Sequence, residues 1–122
     1  MIITNKKEEI IEEIIRARNN REKFFIEMKI AQKEKIKIAR QCADLLKTKF
    51  GVKKVILFGS LLDYREMNYH SDIDLAVLGL PEKKLWLAGA LLEKNHDFNI
   101  DLVEIEKAKP HILEAIKKGI EL

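Results

Sequence analysis

The chain has 122 residues, of which 47% are hydrophobic and 35% charged, and it carries a formal net charge of +3. That length holds one domain with a real core and excludes two, and the composition is that of a globular protein with a heavily ionised surface. No apolar stretch approaches the length of a bilayer-spanning helix, Met1–Lys6 lacks the basic, apolar and small order of a signal peptide, and the lone Cys42 has no disulfide partner within the chain, so a cytoplasmic protein is expected.

Asn5-x-x-Glu8 predicts a helix start of the capping-box type. Ile10, Ile11, Ile14, Ile15 and Ala17 then recur at helical spacing until Asn19-Asn20, where a break is expected. A second helix is predicted from about Arg21 to Lys49, with Phe24, Phe25, Met28, Ala31, Ile38, Ala39, Cys42, Leu45 and Leu46 as its apolar stripe and Gly51 as its terminator. Cys42 reads as a small buried hydrophobe on that stripe. The stripe thins at Gln32-Lys33-Glu34-Lys35, which predicts a stretch that projects from the domain or is solvated all round. Residues 1–50 carry 13 Lys or Arg against 8 Asp or Glu, and residues 51–122 carry 10 against 12. A basic first segment could attract nucleic acid, but its Lys and Glu are interspersed without alternating aromatics, so a solvated helix face is the favoured reading. The apolar ridges predict packing on the domain or on a second protein chain rather than on a membrane.

After Gly51 the pattern changes to strand, turn, short helix and strand. The first strand is predicted at Lys54–Phe58, a short helix follows Ser60, and the second strand covers Asp72–Leu78. Pro81-Glu82 predicts the first turn of a helix running to about Lys94, with Leu85, Trp86, Ala88, Leu91 and Leu92 as its core face. Asn95-His96-Asp97 reads as a turn, Phe98–Ile105 as the third strand, and Pro110–Lys118 as a last helix stopped by Gly119. The predicted fold is α+β: a small mixed sheet of three or four strands with helices on one side, preceded by a long helical N-terminal segment.

Two features carry chemistry. Val55–Phe58 ends in Gly59-Ser60, where bare backbone N–H groups and a small hydroxyl can approach a polyphosphate. The second strand opens with Asp72-Ile73-Asp74, whose carboxylates at i and i+2 share one strand face and can hold divalent cations beside those phosphates. One Asp after Ser71 is an ordinary turn residue. A second on the same face of a Val/Leu-rich strand is costly to bury without a cation or partner.

Gly59-Ser60 and Asp72-x-Asp74 on successive strands resemble the signature of the nucleotidyltransferases of the DNA polymerase β superfamily, and within it the minimal nucleotidyltransferases (MNT). The likeness runs from about Ile36 to Leu122. It includes Phe50-Gly51-Val52-Lys53-Lys54-Val55, Ser71-Asp72-Ile73-Asp74-Leu75-Ala76-Val77 and Ile116-Lys117-Lys118-Gly119-Ile120-Glu121-Leu122. The resemblance implies a third strand carboxylate, Asp101 in Phe98-Asn99-Ile100-Asp101-Leu102-Val103. It also implies two Mg²⁺ ions, with Mn²⁺ as a substitute, held by Asp72, Asp74 and Asp101, and phosphates held at Gly59 and Ser60. Residues 36–122 would then be the catalytic domain and residues 1–35 a helical extension. The implied reaction moves a nucleoside monophosphate, AMP from ATP, onto an acceptor. The implied partner is a helical, HEPN-type toxin-like protein for which this chain is the antitoxin. Either a homo-oligomer or a hetero-complex would form through the N-terminal helices.

The chain departs from the family after Gly59-Ser60, where many relatives carry a basic residue and this one has Leu61-Leu62-Asp63-Tyr64 before Arg65. Arg65 is the candidate substitute. The alternative is a catalytically weak binding module acting through protein contacts. Tyr69 reads as a cover for the sheet edge, His70 is left out of the site, Glu104 and Glu106 read as solvent-facing, and His96 and His111 carry no signal.

Overall fold

The computed structural model describes residues 6–122, so the expected cap at Asn5 lies outside the described residues. The first helix, α1, is a single element, Lys6–Phe50, of 45 residues. The expected break at Asn19-Asn20 does not occur: asparagine costs only a few tenths of a kcal/mol in a helix, and no Gly or Pro follows until Gly51. Glu8 and Glu9 in the first turn and Lys47 and Lys49 in the last complement the helix dipole. Gly51 ends α1 at φ 68°, the left-handed geometry a glycine terminator supplies.

Four strands follow: β1 (Lys54–Phe58), β2 (Ile73–Leu78), β3 (Ile100–Glu104) and β4 (Ile120–Glu121). They lie in the order β3-β2-β1-β4, with β1 antiparallel to β2 and β4 and β3 parallel to β2. Helices α2 (Leu85–Leu92) and α3 (Pro110–Lys117) complete the fold. Strand period 2 divides the core. Ile73, Leu75 and Val77 join Val55 and Leu57 under Ala39, Cys42, Ala43 and Leu46 of α1 and Ala88 and Leu92 of α2. On the opposite face Phe58 and Ala76 meet Ile116 of α3, with Ile56, Val103, Ile112 and Leu113 around them. Helices therefore cover both faces, correcting the one-sided arrangement. The α3 cluster takes in Ile56, Phe58, Ala76 and Val103 of that face, and Asp74 and Asp101 continue the row of Phe58 without joining it.

Several local expectations change. Phe24, Phe25 and Met28 pack on their own domain, with Phe24 edge-on to Tyr69, Phe25 edge-on to Tyr64, and Met28 buried. Gln32 and Lys35 are not solvated: Gln32 Nε2 donates to the Leu61 carbonyl, and Lys35 is 7% exposed. α1 runs unbroken through residues 35 and 36, and its packing on the domain begins at Phe24. α2 starts at Leu85 rather than Pro81, because Pro81–Lys84 closes as a turn with Lys83 at φ 67°. Its eight residues offer the core a single stripe, Leu85, Ala88 and Leu92, and Trp86 stands 88% exposed. Glu104 is not solvent-facing. Its side chain is 12% exposed and pairs with Lys107 at 3.2 Å. Glu106 is exposed and accepts the Gly79 N–H at 3.0 Å. Tyr69 reaches α1, donating its hydroxyl to Glu27, rather than covering the sheet edge. His96 joins Leu92 to Phe98: Nδ1 accepts the Phe98 N–H, which leaves Nε2 to donate to the Leu92 carbonyl at 2.6 Å. Cys42 is buried as expected, and burial pushes its thiol up to about 11.

Candidate active site

The site forms where β1 ends and β2 and β3 begin. Phe58, Asp74 and Asp101 are neighbours across the three strands, Asp74 opposite Phe58 on one side and Asp101 on the other. Asp72 precedes β2 by one residue and is exposed, as is Asp101, whereas Asp74 is half-buried between them. Burial, the charge on Asp101, the charge on Asp72 and a hydrogen bond with Asp101, in that order, raise the Asp74 carboxyl from 3.8 to about 6. No Lys or Arg among the described residues is a cause of that shift. A carboxylate held among two others and away from water is a site short of positive charge, and perturbed acids of this kind cluster at functional sites. The sequence-predicted Asp72, Asp74 and Asp101 are therefore brought together.

Gly59 abuts this cluster. Its φ is 84°, and a Cβ built there would collide with Asp74 Oδ2. The turn needs glycine for the carboxylate as well as for any phosphate. Ser60 lies in a short helix, as expected, and it is a single 3-10 turn, Gly59–Leu62. A four-residue turn contributes little macrodipole, so anion binding here rests on individual N–H groups. Leu61 points into the core, fully buried. Arg65 is not brought to the carboxylates but held by Asp63: Nε donates to Oδ1 and Nη2 to Oδ2, both at 3.1 Å, and the Asp63 side chain also caps the Arg65 N–H. The pair holds Asp63 below the usual carboxylate range and Arg65 above its own.

Sequence reasoning missed Lys35. Its Nζ donates to the Ser71 carbonyl at 2.6 Å and sits 5.5 Å from the Phe98 ring. A polar cavity of about 250 Å³ lies there, lined by Lys35, Tyr69, His70, Ser71, Asp72, Asp97, Phe98 and Asn99. The signal was present: Lys35 falls seven residues after Met28 and seven before Cys42, on the buried stripe. Trp86 lines an apolar groove of about 470 Å³ with Leu85, Gly89 and Leu102, and Asp101 is at its edge.

Among the described residues no three His, Cys, Asp or Glu side chains are arranged as a ready cage for a metal ion. Mg²⁺ rarely uses such cages; it is held by one or two carboxylates and completed by water and substrate phosphates. The donor set fits that mode.

The family model described as polymerase beta nucleotidyltransferase matches residues 40–122. The chain belongs to that family. Among solved structures, it is similar to a toxin–antitoxin with AMP-PNP at 25% identity, covering 68% of this chain and 70% of that one with a TM-score of 0.57. It is also similar to a toxin–antitoxin MntA–HpeT carrying two Asp-to-Glu changes, at 24% identity, with the same coverage and a TM-score of 0.56. A tyrosine-to-alanine mutant of MntA–HpeT matches at 29% identity over 64% of each chain, with a TM-score of 0.50. A search of curated proteins returned no match. The recognition drawn from Gly59-Ser60 and Asp72-x-Asp74 stands, and so does the α+β fold. No helix among the described residues is long and apolar enough to cross a membrane.

Proposed function

We propose that this nucleotidyltransferase-family chain transfers a nucleoside monophosphate, AMP from ATP, onto an acceptor in a reaction that depends on Mg²⁺. The observation that carries the reading is the half-buried Asp74 wedged between Asp72, Asp101 and the Gly59 turn. Asp72, Asp74 and Asp101 would hold the cations, which when bound supply charge neutralisation for the triphosphate. The N–H groups at Gly59 and Ser60 receive the β- and γ-phosphates. An acceptor hydroxyl oxygen attacks the α-phosphorus, the bond to the β-phosphate oxygen breaks, and pyrophosphate leaves. Asp101, exposed at the end of the row, orients the hydroxyl and takes its proton.

A helical toxin-like protein is the proposed acceptor and partner. The support is the similarity to toxin–antitoxin structures, one of them with AMP-PNP. A specific observation keeps the second reading, a weakly active binding module, in play: Leu61 is buried and Arg65 is tied to Asp63, so no free basic side chain follows the phosphate turn. Arg65 would serve a phosphate only by leaving Asp63.

Calorimetry with ATP tests the site. Binding is expected to require Mg²⁺ or Mn²⁺ and to vanish in Asp72→Asn/Asp74→Asn. Metal-independent binding unaffected by those changes would overturn the assignment. Transfer of label from α-labelled ATP to a co-expressed helical partner separates the two readings, since the binding module would bind ATP and transfer nothing.

A further inference from the structure

From Lys6 to Lys23 every residue of α1 is exposed, and the first α1 side chain packed on the core is Phe24. Ile10, Ile11, Ile14 and Ile15 are between 48% and 55% exposed on that free segment. At roughly 100° per residue these four side chains fall within an arc of about 140°, one continuous apolar face. An unsupported helix of this length is marginal in water, and monomers seldom leave such a ridge uncovered.

The charges beside the ridge indicate what covers it. Glu8, Glu9, Glu12 and Glu13 fall in the first half of the segment, after Lys6 and Lys7, and Arg16, Arg18, Arg21 and Lys23 in the second half, interrupted by Glu22. Among the described residues Glu9, Glu12, Glu13, Arg16, Arg18 and Arg21 form no ion pair; the four that occur lie between Lys54 and Glu121. A parallel neighbour of the same sequence would set acid against acid and base against base. A two-fold, antiparallel neighbour with its axis between Ile14 and Ile15 sets Glu8 against Arg21 and Glu13 against Arg16, and closes Ile14 and Ile15 on their counterparts at the axis.

We propose that residues 6–23 of α1 pair antiparallel with the same segment of a second copy of this chain. The pairing is independent of the nucleotidyl-transfer reading. It sends the two domains to opposite ends of the paired helices, with both carboxylate sites clear of the interface.

Light scattering of the full-length protein is expected to give the mass of a dimer. Ile10→Lys/Ile14→Lys should give a monomer whose domain melts as before and still binds ATP with metal. Changing Glu8, Glu9, Glu12 and Glu13 to Lys, or Arg16, Arg18, Arg21 and Lys23 to Glu, should abolish association in each variant alone, and mixing the two should restore it. Direction is read with a short thiol crosslinker, Cys42 being buried. Glu8→Cys mixed with Arg21→Cys should crosslink, while Glu8→Cys alone should not. A wild-type monomer at all concentrations, a mixture that fails to associate, or a Glu8→Cys protein that crosslinks to itself overturns the proposal. So does association found only with a different protein.

Discussion

Asp74 concentrates the electrostatics of the site, and its pH dependence has a definite sign. Its folded pKa is raised from 3.8 to about 6, so its contribution to stability is fully present below 3.8 and is lost as pH rises through about 6. Metal-free protein should therefore lose stability across that window relative to Asp74→Asn, measured as the difference in melting temperature between the two at each pH. Metal affinity runs the other way, because a cation must displace the proton: below pH 6 it should fall roughly tenfold per unit, and above it level off. A flat Mn²⁺ affinity from pH 5 to 7 would place the metal elsewhere. At Gly59, alanine would meet Asp74 Oδ2 and adopt an unfavourable φ, costing on the order of 1–3 kcal/mol. If Gly59 serves only the phosphates, Gly59→Ala should leave the affinity for Mn²⁺ alone unchanged; the contact with Asp74 predicts that it weakens too. Asp72 and Asp74 were legible because i, i+2 spacing fixes a shared strand face, and Asp101 was legible only through the family resemblance. The reason for Gly59 was only half legible, since the approach of Asp74 depends on the register of β1 against β2.

Among the elements, α1 does more than cover the sheet. Gln32 holds the Leu61 carbonyl in the phosphate turn, and Lys35 holds the Ser71 carbonyl just before Asp72, so one helix tethers both loops of the site. Lys35→Met keeps the buried stem and removes the donor, at a cost of about 1.5–3 kcal/mol for a hydrogen bond to a charged group. We expect Lys35→Met to weaken metal-dependent ATP binding by about tenfold through a less fixed Asp72, and Lys35→Arg to recover part of it. Unchanged ATP affinity in Lys35→Met alongside a lowered melting temperature would restrict Lys35 to a structural role. β1, β2 and β3 were readable to within one or two residues because Val/Ile runs and their stops are local signals, whereas the two-residue β4 was not placed. Also missed were the continuity of α1 across Asn19-Asn20, the late start of α2 and the exposure of Trp86. Each depends on what the segment packs against, which periodicity alone does not specify.

At the scale of the molecule, α1 has two parts with different energetic roles, and deletions separate them. Residues 6–23 are exposed throughout, whereas Phe24, Phe25 and Met28 pack on the domain beside Tyr64 and Tyr69. Of the described residues, removing residues 1–23 takes away only the exposed part of α1, Lys6 to Lys23. The remaining protein should melt within a few degrees of full length, bind ATP with metal and run as a monomer in light scattering. Removing residues 1–30 also takes Met28, which is 2% exposed, and both phenylalanines. Losing a buried Met side chain alone costs about 2–5 kcal/mol, a large share of the roughly 5–15 kcal/mol that holds a domain folded. The longer deletion should lose its cooperative melt and its ATP binding together. If it folds as well as the shorter one, the packing of Phe24, Phe25 and Met28 contributes little to the core, and the domain begins near residue 36, where the sequence alone first placed it.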